Sequence, residues 1–119
     1  MHQTPDIYYR SFFMPAFADI LPTLPTIDHI SALSLHSSNG EQVALLENKP
    51  GSAGSVRLYH ALWLQHGCIN HAAAQQGLAL YAEHTADALA FPGKHPNIDR
   101  LLAIAEQGAP ALSCEFEPA

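Results

Sequence analysis

The dipeptide Asn39-Gly40, set between two apolar-rich segments, constrains the fold more than any other feature. A two-residue type I′ hairpin needs positive φ at both central positions, and Asn-Gly is the pair that accepts it most readily. A hairpin closed there has one register, with Leu35 opposite Ala44 and Leu33 opposite Leu46. Those four side chains share a face, which is assigned to the core. Ser34, His36, Val43 and Leu45 fall on the other face. That face is only partly polar, so a cover for it is expected as well.

The flanking sequence supplies helices and further strands. Pro15 suits a first helical turn and Pro22 stops it, which predicts a short helix over Pro15–Leu21 and a Pro-rich connector to Pro25. Residues 1–25 are therefore read as a helix and connector available for oligomer contacts, and residues 26–119 as the α+β domain. After the loop from Lys49 to Ser55, the positions Val56, Tyr59, Leu62, Trp63 and His66 recur at helical spacing, and Gly67 ends the run. Asn70 can cap a second helix, His71–Gln76, closed by Gly77. Leu78, Leu80 and Ala82 then alternate with Ala79, Tyr81 and Glu83, which predicts a strand over Leu78–His84. The competing reading is a helix continuing through Gly77, because Ala and Leu are strong helix formers. Pro96 opens a helix with Ile98, Leu101, Leu102 and Ala105 on one face, and Gly108 closes it. Leu112, Cys114 and Phe116 alternate with polar residues in a last half-buried strand. The sum is an α+β single domain: a small, mostly antiparallel or mixed sheet, built of a β-hairpin plus two later strands, packed with three to four short helices. Leu33, Leu35, Leu46, Leu62, Leu80, Leu101 and Phe116 are its predicted core.

Charge narrows the function classes. The net charge is −6 and the five cations, Arg10, Lys49, Arg57, Lys94 and Arg100, are scattered, so neither a nucleic-acid backbone nor an anionic membrane is an expected partner. No apolar run approaches a membrane span. Met1–Arg10 is polar and broken by Pro5, unlike an export signal, which points to the cytoplasm and to reduced Cys68 and Cys114. Charged residues make up 13% of the chain, about half the usual share. A surface so sparsely charged, with Phe12, Phe13 and Phe17 near one end, favours a homo-oligomer.

Polar side chains concentrate in Glu83-His84-Thr85-Ala86-Asp87 and in Gly93-Lys94-His95-Pro96-Asn97-Ile98-Asp99. With His84 at a strand end and His95 at a helix start, a Pro92-Gly93 bend brings them together. His95 and Asp99 are four apart and share a helix face. Glu83, His84, His95 and Asp99 are the candidate acid–base groups. Two imidazoles and a carboxylate, His84 and His95 with Asp99 or Glu83, also make a donor set for divalent zinc, iron or manganese. The structural alternatives are helix capping by His95 or Asn97, Asp99 favoured by the helix dipole, and Glu83 paired with Lys94 or Arg100. The loop from Lys49 to Ser55 can offer backbone N–H groups to a small anionic molecule, with Lys49, Ser52, Ser55 and Asn97 as ligand-binding residues. It matches no Walker A, GxGxxG or GxSxG pattern, and a plain strand-to-helix turn with a serine cap is the favoured reading of the loop. The function expected is a small-molecule enzyme or binding protein. The rival is a non-catalytic interaction or regulatory module acting as a homo-oligomer.

Glu47-Asn48-Lys49-Pro50-Gly51-Ser52, Ala82-Glu83-His84-Thr85-Ala86-Asp87-Ala88 and Pro92-Gly93-Lys94-His95-Pro96-Asn97-Ile98-Asp99-Arg100-Leu101 resemble a family of short uncharacterised bacterial proteins, known as a domain of unknown function. The resemblance runs from about Phe17 to the C-terminus. It implies a bacterial origin and one domain over that length, and carries no activity.

Overall fold

The computed structural model describes residues 15–119. Phe12 and Phe13, read above as oligomer contacts, lie outside the described residues. The hairpin forms between β1 (Ile30–His36) and β2 (Gln42–Glu47), with Leu33 opposite Leu46 and Leu35 opposite Ala44 as predicted. Its turn is not type I′. Gly40 alone takes positive φ there, at +87°. The Gly40 N–H donates to the Ser37 carbonyl at 2.9 Å, and the Ser37 N–H to the Glu41 carbonyl at 2.9 Å. This is a three-residue loop, a type I turn followed by a left-handed glycine. The Asn39 side chain accepts from the Glu41 N–H at 2.9 Å, which holds Asn39 in this turn. The extra loop residue would slip the register by one. A bulge at Val43 takes up the slip, since His36 faces Gln42 whereas Leu35 faces Ala44.

A third strand, β3 (Ser113–Pro118), pairs antiparallel with the other edge of β1, with Leu33 opposite Phe116 and Leu35 opposite Cys114. The sheet order is β2-β1-β3. Before the sheet come α1 (Phe17–Ile20) and a 3-10 turn (Leu21–Thr23). Between β2 and β3 run α2 (Ala53–His66), α3 (His71–Leu80), α4 (Glu83–Ala90) and α5 (Pro96–Glu106). Leu33, Leu35, Leu46, Leu62 and Leu101 are buried in one core, while Leu80 and Phe116 are only half-buried at its margin. On the far face of the sheet Val43 and Leu45 remain about half exposed, at 48% and 49%.

The predicted strand over Leu78–His84 does not form; among the described residues β3 is the one strand after the hairpin. The segment is helical instead, with α3 running through Gly77 to Leu80 and α4 starting at Glu83. Gly77 is therefore no helix stop. A Cβ there would come within 2.7 Å of Leu101 Cδ1 and 2.9 Å of Leu62 Cδ1. Glycine lets α3 lie against α2 and α5 at a distance no other residue allows. That packing stabilises the helix beyond the propensity lost at glycine. The alternation of leucines was a coincidence of an Ala/Leu-rich helix. Asn70 does cap α3, its side chain accepting from the Ala73 N–H at 2.9 Å, and Gly67 closes α2 at φ +80°.

Candidate functional site

Tyr81 and Ala82 separate α3 from α4, and this break builds the site. Tyr81 is 3% exposed and stacks on Phe17 with ring centroids 5.2 Å apart. Anchoring that ring in the core turns the chain, and Ala82 absorbs the turn at φ +54°, the one positive φ among described non-glycine residues. The Thr85 hydroxyl reaches back to the Leu78 carbonyl at 2.6 Å, satisfying an acceptor left open at the end of α3. His84 follows in the first turn of α4, its ring edge-on to Phe17 at 5.3 Å.

The first turns of α2, α4 and α5 meet around one cavity of about 250 Å³. Its polar lining comes from Ser55, Tyr81, His84, Lys94, His95 and Asn97, its apolar wall from Phe17 and Ile98, and Gly51 edges it. The sequence-predicted residues His84, His95, Ser55 and Asn97 are thus brought together, with the two imidazole centroids 6.0 Å apart. The Ser55 and Tyr81 hydroxyls share one hydrogen bond of 2.7 Å, so one O–H of the pair remains to serve a ligand. Burial pushes the Tyr81 hydroxyl well above its ordinary pKa, and it stays protonated. Tyr59 donates to the Asn97 carbonyl at 2.6 Å, and Arg100 donates to the Asn97 side-chain oxygen at 2.9 Å. These bonds set the start of α5 against the cavity.

Asp87, one turn after His84, supplies the carboxylate. Its Oδ2 accepts from His95 Nε2 at 2.6 Å and pairs with Lys94 Nζ at 2.9 Å. The hydrogen bond from His95, then that from Lys94, holds the Asp87 carboxyl below the usual carboxylate range. Since a carboxylate only accepts, a neutral His95 carries its proton on Nε2 and keeps Nδ1 bare as a base. Asp87, Tyr81, Phe17 and Lys94 were not selected from the sequence. For Asp87 the signal was its spacing from His84, which becomes meaningful once the segment is helical.

Other selected residues do other work. Glu83 accepts from the Phe17 N–H at 2.9 Å, which lowers its pKa and ties α1 to α4, while its second oxygen lies 3.7 Å from His84 Nε2. Asp99 accepts from the Gly93 N–H at 3.0 Å and closes the loop before α5. Lys49 pairs with Glu47 at 3.0 Å, and the Ser52 hydroxyl bonds the Glu47 carbonyl. Neither Lys49 nor Ser52 lines the cavity. The donor set of His84, His95 and Asp99 does not assemble; among the described residues no three His, Cys, Asp or Glu side chains are placed to hold a metal ion.

Fold and cavity define a small α+β domain with a polar pocket at converging helix starts. Residues 17–114 match the family model described as an uncharacterized protein conserved in bacteria (DUF2322), and the chain belongs to that family. Curated proteins and solved structures yield no match.

Proposed function

We propose that the cavity binds a small anionic molecule and that His95, oriented by Asp87, exchanges a proton with it. The observation that carries this reading is the convergence of His84, His95, Ser55 and Asn97 on one pocket beside Lys94. The first turns of the long helices α2 and α5 add the positive ends of two dipoles. A volume of about 250 Å³ sits below the range of drug-sized sites, so the ligand is small. A base whose second nitrogen is held by a carboxylate is the arrangement general acid–base chemistry uses. Calorimetry with inorganic phosphate and with acetate tests the reading. Saturable binding is expected, weakened about tenfold or more in Ser55→Ala and His84→Ala, in line with loss of a hydrogen bond to a charged group. No heat from either anion at millimolar concentration, with the His84 and His95 ring resonances unmoved, would sink it.

A second reading is an interaction module that acts as a homo-oligomer. It draws on the open sheet face with Val43 and Leu45, and on Leu89 and Phe91, which are more than half exposed. Light scattering at micromolar concentrations decides it, a monomer mass counting against. A cytoplasmic location belongs to both readings. Among the described residues no helix is long and apolar enough to cross a membrane.

A further inference from the structure

A second cavity, of about 310 Å³, lies where α2 crosses the ends of β1 and β3, away from the pocket described above. His29, His60, Trp63 and Phe116 present four rings to it. Trp63 and Phe116 meet edge to face with centroids 4.7 Å apart, His60 stands edge-on to Phe116 at 5.5 Å, and His29 stands edge-on to His60 at 5.5 Å. Glu117 is the one residue of the lining with a permanent charge, and no Lys or Arg lines it. His60 is 6% exposed, yet its Nδ1 has no hydrogen-bond partner. A core that only needed filling would place an apolar side chain there, because an unpaired buried nitrogen costs about 1–3 kcal/mol.

We propose that this cavity is a ligand site for a small alkylated ammonium cation, held over the Trp63 and Phe116 rings, with the negative charge of Glu117 on the adjoining exposed side of β3 adding a longer-range attraction. The negative face of an aromatic ring attracts a cation, tryptophan most strongly, and methylated ammonium groups match such sites because they carry charge without strong hydration. Burial, with the nearby His29, lowers the pKa of His60, so its ring stays neutral near pH 7 and does not repel a cation. The acidic balance of the chain, −6, steers in the same direction.

Trp63 is the only tryptophan of the chain, so its fluorescence reports on this site alone. Titrating the full chain with choline and with tetramethylammonium is expected to change that emission saturably. The uncharged analogue 3,3-dimethylbutan-1-ol, of the same shape as choline, should leave it unchanged. Phe116→Leu should weaken choline binding about two- to thirty-fold, the span of one cation–π contact. Glu117→Gln, on the exposed side of β3, leaves the core untouched and should weaken binding a few-fold at low salt, a difference that fades as salt screens the charge. Circular dichroism of both variants checks that they fold. Equal binding of the neutral analogue would make this an apolar pocket and overturn the proposal. So would the absence of a saturable response to either cation, or affinity unchanged in both folded variants.

Discussion

Two residues carry local costs that their surroundings impose. Ala82 holds φ +54° because Tyr81 on one side is anchored in the core and His84 on the other faces the cavity. Glycine accepts that conformation without a Cβ clash, so Ala82→Gly should stabilise the fold by about 1 kcal/mol in urea unfolding, the reverse of the usual helix-region outcome. Destabilisation would show that the turn is not held as described. His60 is buried with Nδ1 unpaired, and its folded pKa lies below 6.5. The unfolded chain therefore binds the proton more readily. Stability from this group is complete above pH 6.5 and falls as pH drops from 6.5 toward the lower folded value. In His60→Leu that slope should disappear from unfolding midpoints measured between pH 8 and pH 5.

Among the elements, α3 depends on a glycine where its intrinsic propensity would prefer alanine. Gly77→Ala improves helix propensity by about 1 kcal/mol. Its new methyl group would meet Leu62 and Leu101 at under 3 Å, and relief of such overpacking costs about 1–3 kcal/mol. The expected net result is a lower urea midpoint. A raised midpoint would mean that α3 stands further from α2 and α5. The same close approach brings α3 to its end at Tyr81, and so places α4 beside the cavity.

On the scale of the whole molecule, two carboxylates join separate pieces around that cavity, one of them across 66 residues of sequence. Glu83 ties α4 to the start of α1, and Asp87 ties α4 to the loop before α5. Both have pKa values below their ordinary 4.5 and 3.8. Their contribution is present above those values and is lost as pH falls through the lower folded ones. Acid should therefore loosen the cavity walls below about pH 4, before the core unfolds. Amide exchange in α4 against that in β1, followed from pH 6 to pH 3, tests this. The Glu83→Gln, Asp87→Asn double variant should show the loosened walls already at neutral pH.

Local chemistry was enough to determine much of this protein. The hairpin register follows from alternation in the two strands, and it survived a different turn because burying Leu33, Leu35 and Leu46 outweighs the geometry of one loop. Gly67, Asn70 and Pro96 marked helix ends, since caps act through bonds within a few residues. His84 and His95 could be chosen as neighbours because the bend between them is short. The tertiary structure alone decided three things. It placed Leu78–Leu80 in the last turn of α3 and Glu83–His84 in the first turn of α4, as packing against α2 and α5 at Gly77 overrides a two-residue alternation that short helices also produce. It gave the carboxylate role to Asp87 in place of Asp99, because side-chain partners depend on which helix faces turn toward each other. It joined Ser55 and Phe17 to Tyr81 and the histidines across dozens of residues, a convergence that no local spacing encodes. The His29–His60–Trp63–Phe116 cavity is of the same kind: its rings come from β3, α2 and the segment before β1, and only the crossing of helix and sheet makes them neighbours.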